Sequence, residues 1–390
     1  MTLALLWIML ALTACGQKPL LHSVSIVPNV ISPNADGTED VARISYSVAR
    51  PARLSIYLVD AGGQRHSVRT DLDRPAGDYE TLFSGVVSNR LLADGTYTCV
   101  LEARTAHGET ERVEAFLTLQ GGEPNLIQIK NLNIYPTTFT PNRDGINDRV
   151  TVAYHLTKEA VSVQVYLVDA AGGKYPLPED KIRPMGAAGN HEHDYEGGVD
   201  LGATPPADGT YRVVVEAQDA VGNLDTAEGQ LTIKDGGVPR MEIVNRAAQW
   251  SASVLPLGGT LTFTCTLRNI GNVAIRTKGP PPGTLYTTQE NFNSKVAYEE
   301  PGIFRLGMDF EGNSSGRTYP FRWQLGADDE LTTVDGQKYL LPGQTVEVVG
   351  HLKIIDKPVV VAPYYWLGLI HEQVWIVEDR VEPVPVTIGF

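Results

Sequence analysis

The sequence predicts an all-β chain, three tandem β-sandwich domains behind an N-terminal export segment, and three observations carry that prediction. Glycine and proline are abundant, 38 and 25 of 390 residues, and they punctuate short apolar runs. Such punctuation suits many strands and turns and argues against long helices. Within the runs, apolar and polar residues alternate with period two, so each strand turns one face to a core and the other to water. Finally, one set of markers occurs twice, in the same order, which is how a duplicated unit reads in sequence.

Taken from the start, residues 2–12, TLALLWIMLAL, form a continuous apolar run. It is too short to cross a bilayer comfortably and is followed by small residues. Leu12-Thr13-Ala14-Cys15 comes next and resembles a bacterial lipobox. In that family the signal peptide is removed before the cysteine, whose thiol then carries a diacylglycerol. The resemblance implies a signal peptide over 1–14, lipidation of Cys15, a tether over 15–21, and an exported chain held at a membrane facing away from the cytoplasm. The segment departs from the pattern in having no Lys or Arg ahead of its apolar run. The plainer alternative is a signal peptide with an incidental cysteine.

The duplicated markers follow. SPNADGTED at 32–40 returns as TPNRDGIND at 140–148, IYLVDAGG at 56–63 as VYLVDAAGG at 165–173, and ADGTY at 93–97 as ADGTY at 207–211. The separation between partners grows slowly along the chain, as it does when loops lengthen while strands persist. Ile44, Tyr46 and Val48 alternate with polar neighbours, as do Val152, Tyr154 and Leu156 in the second copy. Leu54, Ile56 and Leu58 match Val163, Val165 and Leu167, and Tyr97, Cys99 and Leu101 match Tyr211, Val213 and Val215. Cys99 therefore stands where its sister has Val, which predicts a buried, inert thiol. Cys265, on the apolar face of Thr260–Leu267, reads the same way.

Gly121-Gly122-Glu123-Pro124-Asn125 and Asp235-Gly236-Gly237-Val238-Pro239 are short, Gly/Pro-bearing and poor in apolar residues, and read as joints between units. They set domain limits of 22–121, 125–235 and 239–390. The last region has its own strands at 260–267 and 344–355. Its core is expected to draw on Phe304, Phe310, Tyr319, Phe321, Trp323, Tyr364, Tyr365, Trp366 and Trp375.

On these markers the first two units resemble the FlgD-like immunoglobulin-like (Ig-like) domain, named for a flagellar hook-assembly protein. The matching features are the [ST]-P-N-x-D-G opening, the Y-L-V-D strand and turn, and the A-D-G-T-Y strand start, with Asp219-Ala220-Val221-Gly222-Asn223 as a further turn. The resemblance covers roughly residues 22–235 and implies an Ig-like sandwich used as a spacer or terminal unit. The third region is loosely similar to other bacterial Ig-like repeats that follow an R-N-x-G-N segment, here Arg268–Asn272.

The formal net charge is −14, from 46 acidic and 32 basic residues, with no Lys/Arg cluster. A nucleic-acid partner is thereby excluded, because displacing counterions from phosphates needs a basic surface. No nucleophile elbow, phosphate-binding glycine loop or dinucleotide fingerprint occurs, so no enzyme activity is expected. His371-Glu372-Gln373-Val374-Trp375 begins like a zinc-protease motif but has Trp where the second His belongs.

Three candidate sites remain. Asn34, Asp36 and Asp40, and their partners Asn142, Asp144 and Asp148, form two N-x-D-G-x-x-D loops. Closely spaced hard oxygens around a sharp glycine turn suit calcium; the same spacing suits an Asx turn that satisfies backbone N–H groups ahead of the first strand. His191 and His193 share one face of a strand and could pair on zinc. Their sister segment, 78–82, has no His, which favours an exposed polar strand. Tyr364, Tyr365 and Trp366 offer a sugar-stacking platform, weighed against ordinary core packing. The expectation is a non-enzymatic, surface-anchored protein that presents a C-terminal domain to a protein or glycan partner.

Overall fold

The computed structural model describes residues 18–123, 125–178, 184 and 186–389; the apolar run and Cys15 lie outside them. The described chain is built of strands in several sheets, with two short 3-10 turns at Val199–Leu201 and Phe292–Lys295. Among the described residues no helix is long and apolar enough to cross a membrane.

The two main sheets of the first copy recur in the second with the same strand orders. In the first copy Ala42–Val48 pairs with Leu21–Val27 on one side and Gly77–Phe83 on the other. A second sheet runs Val30–Ile31, Thr110–Leu119, Gly95–Arg104, Ala52–Val59, Arg65–Arg74. The second copy repeats both orders with Ile129–Tyr135, Val150–Leu156 and Gly189–Tyr195, and with Thr138–Phe139, Leu224–Ile233, Gly209–Gln218, Ser162–Val168 and Lys174–Pro176. Even the irregularity recurs: the first strand slips register between His22 and Ser25, and its sister between Lys130 and Asn133. Alternation does the rest. Ile44, Tyr46, Leu54, Ile56, Cys99 and Leu101 bring both sheets of the first copy into one apolar cluster, and Val152, Tyr154, Val165, Leu167, Val213 and Val215 do so in the second.

The third region gathers a separate cluster from 241 to 388. Thr260–Asn269 and Thr345–Lys353 lie side by side in a four-stranded sheet. Phe304–Phe310 and Tyr364–His371 pair in a seven-stranded one. Trp323 is fully buried, edge-on to Phe263 and Tyr286 with both centroids at 5.1 Å. Gly350 is required there, since the Phe263 ring fills the space a Cβ would take.

Two expectations need correction. His191 and His193 are not on an exposed strand; they are 4% and 2% exposed. Both stack on Tyr154, with centroids at 5.3 and 5.6 Å. The sister pair Tyr46 and Tyr79 stacks in the same place, so imidazole has replaced phenol in a layer of rings. At the joints, Asp94 accepts the N–H groups of Gly121 and Gly122 at 2.8 and 3.1 Å, and Asp208 those of Asp235 and Gly236 at 2.9 and 3.1 Å. The aspartate of each A-D-G-T-Y marker thus clamps the chain leaving its own unit. Lastly, Tyr364 and Trp375 lie outside the core, 47% and 60% exposed.

Cys99 and Cys265 are buried and free, and burial pushes both thiols up to about 12. At pH 8 a thiol reagent is therefore expected to label neither in the folded protein and both in denaturant. Mass spectrometry of the labelled chain checks it.

Candidate functional site

In the first N-x-D-G loop every side-chain oxygen faces an N–H donor. Asp40 accepts from the backbone of Asn34 and Ala35 through Oδ1 (3.1 and 2.8 Å) and of Gly37 through Oδ2 (2.7 Å). Asn34 accepts from Asp36 N–H at 2.9 Å, and Asp36 from Thr38 N–H at 2.8 Å and the Asn34 amide at 3.0 Å. The second loop repeats the pattern: Asp148 accepts from Asp144 and Gly145, Asn142 from Asp144, and Asp144 from Ile146. Carboxylates aimed at N–H groups hold a turn. A calcium ion would have to share these same oxygens.

The two loops differ in what lies above them. Asn34, Asp36 and Asp40 are half-buried or exposed, whereas Asn142 and Asp144 are 8% and 6% exposed. The second loop is covered by the third region. Arg276 donates to the Asp144 carbonyl while the same guanidinium holds Glu300 at 2.7 Å and Gln337 at 3.1 Å. Tyr339 donates to Asp144 Oδ2 at 3.1 Å, and His371 Nε2 donates to the Arg143 carbonyl at 2.8 Å. Gly145 (φ +85°) leaves room for none but itself: a Cβ there would collide with the Pro301 carbonyl. Burial pushes the Asp148 carboxyl up to about 6, with Asp144 adding to the effect, and burial also raises Asp144.

At the opposite end of the second copy the D-x-x-G-N turn meets the first copy. Asp219 Oδ1 gathers the N–H groups of Val221, Gly222 and Asn223 at 3.1, 3.0 and 2.9 Å. The Asn223 side chain then accepts Leu91 N–H at 2.6 Å, and Leu224 N–H donates to the Asn89 carbonyl at 3.0 Å. Ser88 and Asn89, both at positive φ, turn the small hairpin that carries Leu91.

Burial pulls His371 down to about 4. It is neutral at pH 7, as a donor to the Arg143 carbonyl must be to remain buried without a counter-charge. Its folded value lies below the unfolded 6.5, so its contribution is complete above that pH and is lost as pH falls toward 4. The raised Asp148 works the other way, favouring the folded state as pH falls below about 6. The His371→Gln variant keeps a donor without the titration. It is expected to keep the junction closed as pH falls toward 4, where the parent loosens. Hydrogen exchange at 142–148 measured from pH 7 to 4 checks it.

The aromatic platform is only partly assembled. Tyr365 is core, 1% exposed, and stacks on Phe310 at 5.7 Å. Tyr364 and Trp366, on the other face of the strand, line a groove of about 760 Å³ with Asp309, Glu311, Arg317 and Arg380. Arg380 lies over the Trp366 ring at 5.0 Å.

No family model matches the chain, and no curated protein matches it. Solved structures give only remote likenesses. A tetra-tandem repeat from the extending region of a large adhesion protein is 14% identical over 94% of this chain and 74% of that one, at a TM-score of 0.20. A Ca2+-stabilized adhesin that helps an Antarctic bacterium bind ice is 15% identical over 88% and 74%, at 0.23. A DUF4785 family protein of Legionella pneumophila is 12% identical over 94% and 90%, also at 0.23. At such scores the superpositions carry no argument about this chain.

Among the described residues no group of three or more His, Cys, Asp or Glu is placed to hold a metal. His371 and Glu372, the start of the broken protease motif, face the interior. Glu372 Oε1 takes Arg305 at 3.0 Å and Arg322 at 2.8 Å. The spacing of Asn and Asp in the sequence marks the loops and turns. The contacts of Arg276, Tyr339 and His371 carry no such mark, because their partners Asp144 and Arg143 are far away along the chain; Arg380 reaches Trp366 only through a bulge.

Proposed function

We propose that the chain is a non-enzymatic, lipid-anchored surface protein. In this reading two FlgD-like Ig-like domains, 22–121 and 125–235, act as a stiff spacer that presents a C-terminal β-sandwich domain, 239–390, for adhesion or assembly. The observation that carries it is the second copy's pair of opposite contacts: Asn223 against the first copy at one end, Asp144 and Gly145 against the third region at the other. A spacer needs such end-to-end fixing, because a slack linker gives no defined reach. The markers are also accounted for without chemistry. Asp60 and Asp169 brace hairpin turns, Asp94 and Asp208 clamp the exits, and Tyr97 and Tyr211 donate to carbonyls four residues back at 2.7 and 2.6 Å.

Anchoring is tested by growing cells with a clickable palmitate. Label on the parent and its absence on Cys15→Ser, with release of the variant from the membrane fraction, is expected; equal membrane retention of both would remove the anchor. The N-x-D-G loops are read as turns, so melting in calcium and in EDTA is expected to coincide. A rise of several degrees in calcium would restore the cation reading.

A further inference from the structure

We propose that the groove between Gly312–Thr318 and the edge strand Trp375–Pro385 binds an acidic polysaccharide, a carboxylated sugar chain. The proposal rests on the reading of the third region as the presented domain. Its volume, about 760 Å³, is that of a site for a short oligosaccharide.

Both walls are braced. On one, the Asn313 amide bridges Asp309 Oδ1 at 2.7 Å and the Arg317 carbonyl at 2.8 Å, while Ser315 donates to Asn313 at 2.7 Å. On the other, the hydroxyl of buried Tyr319 donates to Asp379 at 2.5 Å and accepts Arg380 N–H at 3.0 Å. Arg380 and Glu382 sit at positive φ, 48° and 49°, where the edge strand slips register against Leu367. Bulges of this kind re-aim a side chain, and here the guanidinium of Arg380 comes to rest over Trp366.

The charge pattern favours the ligand. Asp309 is 6% exposed and turned onto Phe310 N–H, Tyr319 N–H and the Asn313 amide, so Glu311 is the one groove carboxylate open to a ligand, against Arg317 and Arg380. Arg317 and Arg380 lie near the Phe292 and Trp366 rings, and among the described residues neither has a carboxylate partner. Two guanidinium groups that are not paired directly favour bidentate capture of carboxylates. The half-exposed Tyr364 ring beside them matches the apolar C–H face of a pyranose. A peptide adding to the sheet edge is disfavoured, since the bulges, Pro383 and Pro385 interrupt that edge.

The test is calorimetric titration of the full chain with tetragalacturonate, an uncharged oligosaccharide of equal length, and an oligoglutamate. Binding of the uronate alone is expected, weakened about tenfold in Arg380→Gln and in Tyr364→Ala, with far-UV and near-UV spectra unchanged. Equal binding of the uncharged sugar, equal binding of the oligoglutamate, no binding of any, or uronate binding that both variants retain would each overturn the proposal. The spacer reading fails separately, by the distance measurement that closes the Discussion.

Discussion

Replacing Glu372 with alanine is expected to cost about 3–5 kcal/mol of the third region's stability, because it leaves two buried guanidinium groups without their shared carboxylate. Arg305 and Glu372 are 1% and 0% exposed by side chain, and Arg322 is 7%. A loss of that size is a large share of a typical domain's stability. Burial raises the Glu372 carboxyl against the pull of both arginines, and its Oε2 is buried with no hydrogen-bond partner among the described residues. The cluster therefore fixes an arrangement more than it adds net stability, and its apolar replacement should be milder than its disruption. Glu372→Leu combined with Arg305→Met is expected to recover part of the loss, since Arg322 keeps Glu299 at 3.0 Å. Urea unfolding followed by tryptophan fluorescence reads both, because Trp323 lies in this core. A single Glu372→Ala loss under about 1 kcal/mol would mean that water reaches the cluster.

The second large effect falls on the junction between the second copy and the third region. Gly145→Val is expected to separate them while leaving each core folded. A β-branched residue at φ +85° is strained by at least about 1–2 kcal/mol, and its side chain would occupy the place of the Pro301 carbonyl. Arg276→Ala should act in the same direction, because one guanidinium ties Asp144, Glu300 and Gln337 together. Faster hydrogen exchange confined to 142–148 and the facing strands is the expected readout. Exchange rising throughout both cores would instead mean that the junction is part of the folding unit.

Much of the fold was legible because its causes are local. Period-two alternation in Ile44, Tyr46 and Val48, and in the matching Val152, Tyr154 and Leu156, names the buried face without knowledge of partners. Glycine and aspartate at fixed spacing name the turns in the same way. The misreadings share a different cause. His191 and His193 look polar in isolation, yet an imidazole can stack on Tyr154 as the sister unit's phenol does on Tyr46. Polarity gave the wrong exposure there. At Gly121-Gly122, the clamp that local pattern leaves out comes from Asp94, at a distant strand start, which accepts both N–H groups. The junction residues were invisible for the same reason: Tyr339 reaches Asp144 and His371 reaches Arg143 across most of two units. No local pattern encodes such pairs. Of the aromatic platform, the sequence grouped Tyr364, Tyr365 and Trp366, whereas Tyr365 turns into the core, and the bulge that brings Arg380 to Trp366 lay beyond local pattern.

The central claim is that the units are fixed end to end, and one measurement tests it most directly. Spin labels are placed at exposed Val161 and Val334 by Val161→Cys and Val334→Cys, with Cys15→Ser. The buried native thiols, Cys99 and Cys265, remain unlabelled. Pulsed electron–electron resonance then reports the distance distribution between the second copy and the third region. A single narrow distribution that broadens in Gly145→Val is the predicted result. A broad distribution in the parent, no different from that of the variant, would contradict the account.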